Sequence, residues 1–223
     1  MLLIYNTIHA TEPRDYFDQI AQTRLFPDSK FATIYLGSKL ADCQKYTHLL
    51  LTGSELSASQ GSKYDTGILA VIAEFVQARK PVLGICHGHQ MLARYLAGDE
   101  YCRRAIVPEF GFKKMQITDD ILFTGIQNPI FLESRYDEVF DLPSDFGIIA
   151  ANETEAVQGF RYLDLPVWGI QFHPEFLFED GDTMLQKHLN QNPADRQYYR
   201  NDLRNADELQ QNLKIFTNFF LSR

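Results

Sequence analysis

Cysteine is scarce in this chain. Of 223 residues only three are cysteine, Cys43, Cys86 and Cys102, an odd number with no C-x-x-C pair. That excludes a disulfide-built scaffold and a zinc ribbon, and it points to a reducing compartment, the cytoplasm. Basic residues are also in deficit, 21 Lys and Arg against 29 Asp and Glu, for a formal charge of −8. So acidic a chain lacks the cationic face that neutralises phosphates, so nucleic acid is not an expected partner. No apolar run approaches the roughly 18 residues of a membrane-spanning helix. The opening Met1-Leu2-Leu3-Ile4-Tyr5 is too short for a signal-peptide core and has no basic stretch before it, so it reads as a first strand. There is no internal repeat, no low-complexity tract and no G-x-x-x-x-G-K-[ST] phosphate loop. The chain is rich in apolar residues, 45% hydrophobic and 13% aromatic, which is ample for a packed core. The expectation is one domain over residues 1–223, with 176–223 as a helical C-terminal extension.

The first half alternates strand-like and helix-like segments, the signature of a parallel α/β sheet. Residues 2–5, 31–35, 48–52 and 82–85 are short apolar runs bounded by turn residues, as fits strands buried on both faces. Glu12-Pro13 opens a helix through about Arg24. Asp65 suits the cap of a second helix, whose Leu69, Ile72 and Val76 lie on one stripe and which ends at Arg79-Lys80 before Pro81. From about Cys102 to Phe172 the pattern changes to short strands, over 112–118, 147–151, 156–162 and 167–172, expected to complete the same sheet. After a polar stretch, Asp180 to Asp207, a final helix carries Leu209, Leu213, Phe216 and Phe220 at helical spacing. The fold class expected is a mostly parallel central sheet with helices on both faces.

Gly84-Ile85-Cys86-His87-Gly88-His89-Gln90 follows one of these strands and precedes a helix over Gln90–Leu96. The G-x-C-x-G spacing matches a nucleophile elbow with cysteine in the serine position. A sharp strand-to-helix turn crowds the backbone, so small residues must flank it. The turn displays a thiol at the positive end of a helix, where the field favours the attacking thiolate. The backbone N–H of His87 then points where an oxyanion forms. The same pattern also fits a buried structural cysteine in a glycine-bearing turn, as Cys43 and Cys102 are read.

A second segment, Trp168-Gly169-Ile170-Gln171-Phe172-His173-Pro174-Glu175, ends an apolar strand in His-Pro-Glu. Residues two apart in an extended segment project to one side, so His173 and Glu175 can be neighbours, and Pro174 holds His173 out of helix. A carboxylate on one imidazole nitrogen leaves the other to face a thiol, the logic of a nucleophile, base and orienting acid. Alone, the segment also fits a surface loop with a solvated Glu175.

Together the two segments resemble the class I glutamine amidotransferase family, and are similar to the glutaminase domain of GMP synthase and its stand-alone homologues. The resemblance runs from roughly residue 40 to 176, with both motifs in order. It implies a flavodoxin-like sheet. It also implies attack on the side-chain amide of glutamine or a related γ-glutamyl small molecule by Cys86, with His173 as base and acid and Glu175 orienting it. Thr52-Gly53-Ser54-Glu55-Leu56-Ser57 stands where the family places its second oxyanion donor, the backbone N–H of Ser54 or Gly53; relatives often have glycine and proline where this chain has Ser54 and Glu55. Gln90 matches the glutamine of the family's G-x-C-x-G-x-Q. Ser134-Arg135-Tyr136-Asp137 resembles, more weakly, the loop that contacts the substrate's α-amino and carboxylate groups. No cofactor is implied. With no phosphate loop on this chain, a synthetase that activates an ammonia acceptor would be a separate partner.

Three rivals remain at this level. In the DJ-1-like peptidase and chaperone family the elbow also reads cysteine-histidine-glycine and His87 would be the base, leaving His-Pro-Glu unexplained. A metal site from Cys86, His87 and His89 lacks a fourth ligand, and adjacent side chains at a helix start diverge. A non-catalytic binding module leaves the nucleophile, base and acid without a use. The segment from Asp180 to Asp207 leaves the chain just after the catalytic strand end and could border the mouth of the site, which would suit a self-sufficient hydrolase.

Overall fold

The protein, described here from a computed structural model, is defined for residues 1–39, 42–163 and 165–222. Its first half is a strand–helix alternation: β1 (Leu2–Asn6), α1 (Thr11–Ile20) running into a π-helical turn, β2 (Phe31–Tyr35), β3 (His48–Leu51), α2 (Asp65–Gln77), β4 (Val82–Ile85) and α3 (His87–Leu96). The second half adds β5 (Cys102–Lys114), β6 (Gln116–Ile117), β7 (Ile130–Val139), β8 (Phe146–Ala151), β9 (Gly159–Tyr162), β10 (Val167–Ile170), α4 (Phe178–Gln191), β11 (Tyr199–Asn201) and α5 (Lys214–Leu221).

Eight strands form the main sheet in the order β2-β1-β3-β4-β10-β9-β8-β6. From β2 to β10 the strands are parallel, and β9, β8 and β6 continue the sheet antiparallel. Strand alternation sends Leu2, Ile4, Leu50, Leu83 and Ile85 to one face, where Phe17 and Ile20 of α1 and Phe216 and Phe219 of α5 cover them. Leu3, Tyr5, Leu49, Leu51 and Val82 face the other way, under Ile68, Val71, Ile72 and Phe75 of α2 and Met91 and Leu92 of α3. The fold is therefore the expected α/β sandwich with helices on both faces. Among the described residues no helix is long and apolar enough to cross a membrane.

Four details differ from the sequence-based expectations. The buried stripe of α2 is centred on Ile68, Val71, Ile72 and Phe75, with Leu69 and Val76 on its shoulders. Asp65 does not cap that helix; its carboxylate accepts from Ser62 in the preceding turn and pairs with Arg94. The final segment is a 3₁₀ stretch over Ala206–Leu213 followed by α5, which buries Ile215, Phe216 and Phe219 and leaves Leu213 and Phe220 half-buried.

The largest difference is a second, three-stranded sheet, β11-β5-β7, that the main sheet does not absorb. Strands β5 and β7 are the longest in the chain and pair antiparallel across a bulge between Arg104 and Glu109. Strand β7 escapes an apolar-pattern reading because Glu133, Arg135 and Asp137 on one face are charged yet buried. Arg135 is tolerated there because it binds Glu109, which Lys113 also binds, and Glu155. Asp137 accepts from Ser57 and Ser59. Glu133 has no hydrogen-bond partner, and burial pushes its carboxyl well above the usual carboxylate range. The other face packs Leu132 with Phe110, Phe112 and Leu185 of α4.

Candidate active site

Strands β3, β4 and β10 end side by side, and every component of the site lies in the segments just beyond their ends. That is the usual place for a site in an open parallel sheet, outside the carboxyl ends of the strands. Cys86 is the single residue between β4 and α3, with φ 50° and ψ −108°, a strained conformation for a residue with a side chain. Three hydrogen bonds hold it: Cys86 N–H to the Ile170 carbonyl at 2.8 Å, Gly88 N–H to the Thr52 carbonyl at 3.2 Å, and Gln90 N–H to the Cys86 carbonyl at 3.1 Å. The flanking glycines are required by crowding. A Cβ on Gly84 would stand 2.4 Å from the Gly88 oxygen, and one on Gly88 would stand 2.7 Å from the Leu51 oxygen.

His173 follows β10 and is anchored by its own N–H to the Leu132 carbonyl of β7 at 2.9 Å. Its Nδ1 lies 2.7 Å from Glu175 Oε1, and its ring lies close enough to Cys86 for the sulfur to act on it electrostatically. The three side chains are almost wholly enclosed, at 6%, 8% and 2% exposure for Cys86, His173 and Glu175. Burial alone would lower the pKa of His173. The Glu175 carboxylate with its hydrogen bond, and the nearby Cys86 sulfur, override it and hold the imidazole well above its ordinary 6.5. The arrangement therefore favours an imidazolium between a carboxylate and a sulfur.

Gly53, in the turn after β3, closes the third side. A Cβ there would come within 2.9 Å of His173 Cε1 and 3.5 Å of Cys86 Cβ. Ser54 turns its hydroxyl to the Leu56 N–H at 3.2 Å. The adjacent Glu55 accepts the amides of His9 and Ala10, tying this turn to the loop after β1. His87 opens α3, so its amide has no acceptor within the helix. Its ring is buried, both ring nitrogens are without a hydrogen-bond partner, and burial pushes its pKa down to about 4. With no orienting acid, His87 lacks what His173 has. His89 is likewise driven down by burial, to about 3. No group of three or more metal-ligating side chains occurs among the described residues.

The remaining expected site residues are placed unevenly. Gln90 is buried and spans the site's back wall, donating to Gln171 Oε1 at 2.9 Å and to the Asp137 carbonyl at 3.2 Å. Asp137 in turn accepts from Ser57 Oγ at 2.7 Å and Ser59 Oγ at 2.9 Å, joining β7 to the Gly53 turn. Ser134 is half-buried opposite Phe110. Arg135 is committed to the carboxylates of the small sheet, and the Tyr136 hydroxyl is committed to Asp195 and His188. The start of the 180–207 segment reaches the His173–Glu175 end of the site: Asp180 pairs with Arg24 at 2.5 Å, and Arg24 also reaches the Glu175 carbonyl. Just before that segment, Phe176 stacks on Tyr16 and lies 5.6 Å from the His173 ring. Residues 197–208 instead line a cavity of about 950 Å³ with Lys113, Lys114 and Asn152, which no triad residue borders. Thr7 carries no role in the sequence, and Thr52 stands there only as the first residue of the Thr52–Ser57 segment; the positions of both at the ends of two apolar runs were the available signal.

Sheet, elbow and His–Glu strand end together define an α/β protein that brings a cysteine, a histidine and a glutamate together at one edge of the sheet. A family model for glutamine amidotransferase class I matches residues 39–191, and the chain belongs to that family. A glutamine-hydrolyzing GMP synthase subunit of Pyrococcus abyssi is 32% identical over 119 residues, 52% of this chain and 62% of that protein. The corresponding GMP synthase subunit of Sulfurisphaera tokodaii is 40% identical over 102 residues, 45% and 53% of the two chains. The chain thus spans little more than half the length of these curated relatives. A crystal structure of a glutamine amidotransferase from Thermotoga maritima superposes with TM-score 0.72 at 19% identity, over 100% of this chain and 99% of that one. One from Methylobacillus flagellatus gives 0.73 at 17%, over 98% and 93%. Both likenesses are of fold.

Proposed function

We propose that the chain hydrolyses the γ-amide of glutamine, or of a related γ-glutamyl compound, through a thioester on Cys86. The observation that carries this reading is the Cys86–His173–Glu175 alignment, with Gly53 pressed against the first two. The Cys86 sulfur attacks the amide carbon, and the carbonyl oxygen takes up negative charge facing the N–H of His87 and an N–H of the Gly53–Ser54 turn. His173 passes a proton to the departing nitrogen, and ammonia leaves with the C–N bond. A water molecule, deprotonated by His173, then attacks the thioester; glutamate departs and the thiol recovers its proton. Glu175 keeps His173 in the tautomer and orientation that both steps need. No step requires a cofactor.

Gln90 and Ser134 are the substrate contacts on the β7 side, while Arg135 and Tyr136 support them by fixing the strand. The names of the relatives supply the context for the product. A glutamine-hydrolyzing GMP synthase divided into subunits places its synthetase on a second chain. We propose the same division of labour here, in the cytoplasm: ammonia made at Cys86 passes to an acceptor activated by a separate protein. The test is ammonia release from glutamine and from γ-glutamyl peptides by the purified chain, alone and with a synthetase. Turnover of glutamine that rises on adding the synthetase supports the reading. Full turnover of a γ-glutamyl peptide by the chain alone would replace the partner-dependent form with a self-sufficient hydrolase, and no turnover with any of them would overturn both.

A further inference from the structure

The turn beside Cys86 contains an arrangement that the hydrolysis reaction leaves unused. Thr7 directly follows β1, Thr52 directly follows β3, and both are fully buried. The Thr7 backbone N–H donates to Thr52 Oγ1 at 2.8 Å. That bond occupies a lone pair of the Thr52 hydroxyl and sends its own proton elsewhere, to the Gly53 carbonyl oxygen at 3.0 Å. The Thr7 hydroxyl is forked between the Thr52 carbonyl at 3.0 Å and the same Gly53 carbonyl at 3.2 Å. The Thr52 carbonyl also accepts the Gly88 N–H, so the turn is tied to the helix that carries the nucleophile.

The Gly53 carbonyl is therefore held by hydroxyls on one side. A trans peptide is planar, so the N–H of Ser54 points the opposite way, away from the threonines. Rotating this peptide would strip the buried Thr52 hydroxyl of its acceptor and the Thr7 hydroxyl of one of its two, and a buried donor left unsatisfied opposes that rotation. We propose that Thr52 and Thr7 are positioning residues that lock the Gly53–Ser54 peptide, making the Ser54 N–H the preorganised oxyanion donor opposite that of His87. The proposal rests on the amide-hydrolysis reading and chooses between the two amides that reading leaves open. A donor fixed before charge develops needs no reorganisation when the tetrahedral intermediate forms.

The test compares Thr52→Val, Thr7→Val and Thr52→Ser with the unaltered chain in steady-state glutamine hydrolysis. Alkylation of Cys86 by iodoacetamide, a displacement that forms no oxyanion, is measured in parallel. Removing a whole oxyanion donor costs on the order of 10²–10³ in kcat, so a misaligned one should cost roughly 10- to 100-fold in Thr52→Val. KM should stay within about twofold and alkylation should be unchanged, because neither reads the developing charge. Thr52→Ser keeps the hydroxyl and should recover most of kcat. Thr7→Val removes only the forked donor, should lose less, and serves as the deciding variant if Thr52→Val does not fold. Unchanged kcat in the valine variants overturns the lock, as does a parallel fall of kcat and alkylation, or a serine variant as impaired as the valine one. An unaltered chain that releases no ammonia overturns the hydrolysis reading and the lock with it, whereas an active chain with indifferent variants overturns the lock alone.

Discussion

In the proposed reaction the thiol of Cys86 and the imidazole of His173 act as one unit, so their losses should not add. Cys86→Ala should abolish ammonia release, His173→Ala should do nearly as much harm, and the double variant should be no worse than Cys86→Ala, as steady-state kcat will show. Loss of Glu175 is milder because it removes orientation and leaves both reacting groups in place. Alkylation by a glutamine-like electrophile should fall on Cys86 and spare Cys102, whose thiol burial pushes up to about 12. Glu175 also gives His173 a linkage with a definite sign. Because the folded-state pKa of His173 is raised above 6.5, the pair's contribution to stability is fully present below that value and is lost as pH rises through the higher folded one. Denaturant midpoints of the unaltered chain and Glu175→Gln should therefore differ most at mildly acidic pH and converge on the alkaline side. A gap that widens with pH would contradict the charged imidazolium.

At the scale of elements, the elbow is a backbone contact between the start of α3 and the ends of β3 and β4. Gly84→Ala and Gly88→Ala each push a methyl group into backbone atoms, which cannot rotate aside. Overpacking of this kind costs about 1–3 kcal/mol, and both variants should show a lowered Tm and slowed Cys86 alkylation. Gly53→Ala meets the edge of a side-chain ring instead, so it should keep the fold, displace His173 and lose turnover. Beside the small sheet, in the connection from β8 to β9, burial raises Glu155 to about 8. A carboxyl group that keeps its proton only when folded stabilises below the ordinary carboxylate pKa, and that stability is lost as pH rises towards about 8. Glu155→Gln should remove this alkaline loss in a pH series of unfolding curves. The elements most legible in the sequence were the short apolar runs: β2 and β4 fall within the expected bounds and β3 ends one residue early, although β2, at the sheet edge, is half-buried and not covered on both faces as expected. Strand β7 was not legible as a strand because its buried face is charged, and only partners brought from β5 and the 155–158 segment make such a face tolerable.

For the molecule as a whole, the C-terminal segment is part of the core. Phe216 and Phe219 are fully buried on the α1 face, Phe219 against the Trp168 ring at 6.3 Å, and the last described turn closes on β3 through His48 Nε2 and the Ser222 carbonyl at 3.0 Å. Phe216→Ala should cost about 3–5 kcal/mol in equilibrium unfolding, the usual range for a fully buried phenylalanine. A cost below about 1 kcal/mol would mean that α5 is a dispensable cover. The alternation of apolar runs with amphipathic segments already determined a parallel α/β sheet, because burial on both faces demands that pattern locally. The elbow and the His-Pro-Glu turn were equally readable, since each is a short-range solution to a short-range steric problem. Which residues stand beside them was decided only by the tertiary structure. Thr7, Thr52, Gly53 and His173 are scattered over 166 positions (173 − 7) and meet only because parallel strands end at one edge. The second sheet was decided there too, since its charged interior is stable only after β5, β7 and the 155–158 segment have come together, and no local periodicity encodes that meeting.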